Sequence, residues 1–111
     1  MNLTARSEGT IKVISVSGFL DAGEVVRFRD EFLVETADEN VILLDCSKLE
    51  YLDSSGLAAL VNIYKNLTAR GGKLAICGFS ESILRVLKFT KLDRVFTIAE
   101  DFEEAKAKLL S

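Results

Sequence analysis

The chain contains no histidine and no proline. Without histidine it lacks the usual general base at neutral pH and the commonest metal ligand. Without proline, no proline-marked linker divides its 111 residues. That length fits one compact domain, here residues 1–111. Blocks of basic residues are missing as well, and the formal net charge is -3. Nucleic acid is therefore not an expected partner, because a phosphate backbone calls for clustered Lys or Arg. No apolar run approaches membrane-spanning length, so direct membrane insertion is not expected. The opening "MNLTARSEGT" lacks the apolar core of a signal peptide. The two cysteines, Cys46 and Cys77, each sit in an apolar run. They are expected as reduced, buried thiols of a cytoplasmic protein. Neither a cofactor nor a metal is implied by any motif.

What is present is apolar and periodic. Hydrophobic residues make up 49% of the chain, enough for a core. "LTAR" and "TIKVISVSG" read as two strands joined by a turn at "SEG". "DAGEVVRFRDEFLVE" reads as a helix, with Asp21 and Glu24 at capping-box spacing and Val25, Phe28 and Phe32 on one face. "VILLDC" is a continuous apolar strand, as in a sheet covered on both faces. "SGLAALVNIYKNLTARGG" is a long amphipathic helix with a stripe of Leu57, Leu60, Val61, Tyr64 and Leu67, ended by Gly71 or Gly72. "KLAICG" is another buried strand, and "SESILRVLKF" a short helix opened by Ser80. "VFTIA" is a weaker strand. "DFEEAKAKLL" is a last helix, with Asp101 and Glu104 as a second capping-box pair. Strands alternating with helices predict an α/β fold. Its sheet is mixed, mainly parallel and four- to five-stranded, packed by about four helices.

The stretch "YLDSSGLAAL" (51–60) holds the residues that invite a functional reading. Asp53, Ser54 and Ser55 stand where the long helix should start, and any of them suits the N-cap. A catalytic serine needs a base and an oxyanion hole; no histidine serves, and the nucleophile-elbow pattern is absent. "GGK" at 71–73 runs from helix to strand, whereas a phosphate loop runs from strand to helix. Asp45 ends an apolar strand as a phosphoacceptor aspartate would. The acidic pair and the lysine such a site needs are missing, so Asp45 reads as a polar strand end. A serine modified by another protein fits better. The helix N-terminus offers free N–H groups and partial positive charge to a phosphate of about -1.5 to -2. Phe19 reads equally as a core residue or as an exposed one. Lys88, Lys91 and Arg94 read as a solvated, basic helix end.

Residues 49–96, "LEYLDSSGLAALVNIYKNLTARGGKLAICGFSESILRVLKFTKLDRVF", resemble the core of STAS domains, above all the bacterial anti-sigma factor antagonists. Upstream, "SGFLDAGEV" is similar to the family's loop after the second strand. The resemblance implies an anti-sigma factor antagonist that is not itself an enzyme. Its unmodified form would bind an anti-sigma factor that is also a serine kinase, and so release a sigma factor. Phosphorylation of Ser54 would end that binding, and a serine phosphatase would restore it. Asp21, Asp53, Ser55 and Gly56 carry over as partner-binding positions, and the molecule is expected as a monomer. Within the same family, the alternative is a scaffold that is not phosphorylated. Such a scaffold would serve as an accessory subunit of a stress-sensing complex or of a membrane lipid transporter.

Overall fold

A computed structural model describes residues 1–111. The chain opens with an antiparallel hairpin, β1 (Asn2–Glu8) and β2 (Ile11–Leu20). Then α1 (Val25–Glu35) leads to β3 (Val41–Leu52), and α2 (Ser54–Ala69) leads to β4 (Lys73–Cys77). Next, α3 (Glu81–Phe89) and a 3-10 turn (Leu92–Arg94) reach β5 (Thr97–Ala99), and α4 (Phe102–Leu110) follows. The five strands lie in chain order, β1-β2-β3-β4-β5. Only β1 and β2 are antiparallel; the remaining pairs are parallel. The mixed, mainly parallel sheet and its four helices match the expected class.

Strand order sets the layers. Crossovers between parallel strands are right-handed, and three successive crossovers in one direction place their helices on one face. Thus Phe28 and Phe32 of α1, Leu60, Ile63 and Leu67 of α2, and Ile83 and Leu87 of α3 share one core with Ile14, Ile42, Leu44 and Ile76. After β5 the chain crosses to the other face. There Ala105 and Leu109 of α4 pack on Val13, Leu43, Ala75 and Cys77. Both faces of β3 and β4 are covered, which explains their unbroken apolar runs.

Several details depart from the sequence expectation. The hairpin turns at Gly9 and Thr10, so only the last residue of "SEG" lies in the turn, because β1 continues to Glu8. The strand expected to end at Cys46 runs on to Leu52. Two irregularities allow this: Ser15 and Ser17 face Asp45 and Lys48, and Gly18 and Phe19 face Leu49 and Tyr51. β3 holds an extra residue in each interval, as in a β-bulge. The stripe of α2 includes Ile63, which is buried, while Leu57, Val61 and Tyr64 are only partly covered. Its end is a Schellman motif: Gly72 N–H donates to Leu67 O (2.8 Å) and Gly71 N–H to Thr68 O (3.0 Å), with Gly71 at φ +82. Of the two capping boxes, Asp101 does accept from Glu104 N–H at 2.9 Å. Asp21 does not cap α1. That helix starts at Val25, with Glu24 at its N-cap and no side-chain cap bond.

Candidate functional site at the strand C-terminal edge

In a parallel sheet the loops after the strands gather at one edge. Here β2 ends at Leu20 and β3 at Leu52, opposite each other in register. The two following loops therefore lie side by side. Asp53 binds them together with one carboxylate. Its Oδ1 accepts from Gly56 N–H (2.9 Å), capping α2, and its Oδ2 accepts from Ala22 N–H (3.2 Å) in the neighbouring loop. Asp21 shapes that loop from within. Its Oδ1 accepts from Gly23 N–H (3.0 Å), and its carbonyl accepts from Glu24 and Val25 N–H.

Gly56 lets the two loops meet. A Cβ there would lie 2.4 Å from the carbonyl oxygen of Leu20 and 2.4 Å from Cδ1 of Leu52. Gly56 is buried, whereas Ser54 is exposed and Ser55 and Asp21 are partly covered. Asp53 supplies acceptors for the N–H groups of Gly56 and Leu57. The N–H groups of Ser54 and Ser55 have no intrahelical acceptor, as at any helix start. The edge thus presents a hydroxyl and the positive end of a 16-residue helix.

Beside it, α1 and α2 frame a shallow groove of about 280 Å3, lined by Val25, Val26, Arg29, Ser55, Ala58, Ala59 and Asn62. Val26 is 58% exposed. A larger hollow of about 350 Å3 lies away from Ser54, on the open sheet face. It is bounded by Asn2, Thr4, Ser15, Val16, Ser17, Asp45, Ser47 and Lys48. Asp45 there accepts from Ser47 N–H at 2.9 Å, and no group of three or more His, Cys, Asp or Glu side chains could hold a metal. The strand order never reverses, so the edge lacks the crevice in which open α/β sheets hold nucleotides. What it offers is a surface.

Residues 2–105 match the STAS domain family. The chain belongs to the STAS family. Among STAS relatives, a Thermotoga maritima protein provisionally named an anti-sigma factor antagonist is 40% identical over 83 residues, 71% of this chain and 72% of its own. The anti-sigma F factor antagonist of Paenibacillus polymyxa is 26% identical over 101 residues, 89% of this chain and 86% of its own. A crystal structure from Thermotoga maritima, with the same provisional name, superposes with a TM-score of 0.92 at 26% identity, covering 98% of this chain and 95% of that one.

The STAS edge also carries residues that sequence reasoning missed or left open. Phe19, read equally as core or exposed, is 52% exposed. Its ring lies 5.6 Å from that of Tyr51, itself 46% exposed. The two are register partners, so they share one face at the end of the sheet. Tyr51 was invisible because β3 was expected to stop at Cys46, which left no alternation to place it. Ala22 was missed because its part is played by a backbone N–H. No helix is long and apolar enough to cross a membrane.

Proposed function

We propose that this chain, as a single STAS domain over residues 1–111, is an anti-sigma factor antagonist switched by phosphorylation of Ser54. The observation that carries the reading is the contrast between the two serines. Ser54 is exposed on the edge, while Ser55 is partly covered and lines the α1–α2 groove. A kinase reaches the first more readily than the second.

The unmodified edge docks on an anti-sigma factor with serine kinase activity. Asp21 and Asp53 hold the two loops at the contact, and Ser55 joins it through the groove. Gly56 contributes by letting α2 approach Leu20, since its own surface is buried. Phosphate on Ser54 is tolerated by the domain, because the helix N-terminus favours negative charge. It is not tolerated by a packed contact, where it must be desolvated or meet like charge. A loss of about 3 kcal/mol weakens binding roughly a hundredfold. A serine phosphatase resets the switch. In this scheme the protein is a cytoplasmic, monomeric substrate and catalyses nothing.

Intact-mass analysis with site mapping tests the reading. Wild type, Ser54→Ala and Ser55→Ala are incubated with ATP and the histidine-kinase-like serine kinases of the source organism. One added phosphate that disappears only in Ser54→Ala is the expected result. Stable partner binding with no phosphate from any kinase would replace the switch with a scaffold or transporter-accessory role.

A further inference from the structure

A second surface lies at the opposite end of the molecule. α3 begins just after β4 reaches the edge that carries Ser54. It runs back to the other edge, where the chain enters β5 parallel to β4. The end of α3 is therefore remote from Ser54. Phe89, its last residue, is 90% exposed, more than any other large hydrophobic side chain of the protein. Ile83 and Leu87 occupy the buried side of the helix. Arg85, one turn before Phe89, lies on the same outward line. Lys88 adjoins the ring in sequence, and Lys91 and Arg94 follow. Lys91 takes a left-handed backbone at φ 63, which turns the chain sharply after the helix.

These four cations differ from most others in the chain. Lys12, Arg27, Arg29, Lys106 and Lys108 pair with carboxylates. Arg70 donates to the carbonyls of Thr36 and Glu39. Arg85, Lys88, Lys91 and Arg94 have neither an ion pair nor a side-chain hydrogen bond. Between residues 85 and 94 the sole carboxylate is Asp93. A protein of net charge -3 thus carries four unpaired cations within residues 85–94, the segment that bears its most exposed apolar ring.

We propose that this knob docks on the surface of an anionic lipid bilayer. Phe89 enters the boundary between headgroups and acyl chains, and Arg85, Lys88, Lys91 and Arg94 lie over the lipid phosphates. Shape favours a bilayer over an acidic protein segment. The ring projects, so its receiver must yield around it. The hollow beside it is lined by Glu81, Leu84, Arg85 and Lys88. It offers a carboxylate and a single apolar residue, not a slot for a peptide side chain. The contact is peripheral, and it leaves the Ser54 edge facing away from the membrane.

The chain has no tryptophan, so Phe89→Trp installs a single fluorescent reporter at the knob. With phosphatidylcholine vesicles that contain phosphatidylglycerol, its emission should shift to the blue. With phosphatidylcholine alone it should not move, and salt should reverse the shift. In co-sedimentation, Phe89→Ala should lower partitioning about tenfold, and the pair Lys88→Glu/Lys91→Glu about thirtyfold or more. Circular dichroism establishes that these surface variants fold. Ser54→Glu should bind vesicles as wild type does, which separates this contact from the switch. Wild type that stays in solution at low salt overturns the proposal, as does partitioning that both knob variants leave unchanged. A blue shift given by poly-glutamate and not by vesicles also overturns it, in favour of an acidic protein partner.

Discussion

The carboxylate of Asp53 accepts from two N–H groups on two different loops, and this dictates what each replacement should do. Asp53→Asn can still accept from Gly56, but its amide nitrogen then faces the N–H of Ala22, donor against donor. We expect a loss of about 1 kcal/mol for Asn and about 2 for Ala, read from urea midpoints. Gly56→Ala should be worse. The added methyl meets the Leu20 carbonyl and the Leu52 side chain at 2.4 Å, and a destabilisation of about 3 kcal/mol is expected in the same assay. Lys91 runs the other way. As a non-glycine residue at φ 63 it is strained, and Lys91→Gly should raise the thermal midpoint by about 0.5–1 kcal/mol equivalent. That substitution also removes one cation from the α3 knob, so its vesicle binding should fall while its stability rises.

Elements were legible in the sequence wherever burial imposed a period. Leu60 and Leu67 mark α2, Ile42 to Leu44 mark β3, and the Ser80 and Asp101 caps sit where their helices begin. Legibility failed where a local rule met a tertiary demand. Asp21 and Glu24 have capping spacing, yet each is engaged elsewhere. Asp21 folds its own loop, and Glu24 receives Arg27 and the terminal ammonium of Met1. The hydrogen bond from Arg27, then that from the ammonium, holds the Glu24 carboxyl below its usual range. The bulges of β3 were likewise unreadable, because pairing register is a property of two strands. In the site, Ser54 and Asp53 could be picked out by residue type; the bond from Ala22 and the Phe19–Tyr51 pair could not. The paired strands also set a pH limit. Burial pushes the Cys77 thiol up to about 12 from 9.0, and Cys46 is raised as well by burial. Between those values the unfolded chain releases a proton that the native state keeps. Stability is therefore full below the unfolded value and falls as pH rises toward the folded one. At about pH 10.5 the Cys77 share is roughly 2 kcal/mol. Urea midpoints should drop accordingly, and less so in Cys77→Ala.

At the scale of the whole molecule, the two ends are chemically distinct. One edge presents Ser54, the helix N-terminus and the Phe19–Tyr51 pair; the other presents Phe89 among cations. Because Ser54 is exposed at the start of α2, where the helix N-terminus favours negative charge, a charge added there should leave the fold intact. Ser54→Glu is expected to keep the wild-type thermal midpoint within about 0.5 kcal/mol equivalent while it weakens anti-sigma factor binding in a titration, by up to roughly a hundredfold. A midpoint that collapses would mean the serine supports the fold. The plain order of the strands, β1 through β5, carries one further consequence. Each strand pairs with the one made just before it, so the sheet can assemble as the ribosome delivers it. Its two faces do not mature together, however. The face of α1, α2 and α3 is clothed helix by helix, whereas Val13, Leu43, Ala75 and Cys77 await α4, which emerges after all five strands. During synthesis the nascent domain carries a bare apolar face, and that interval is when it most needs a chaperone.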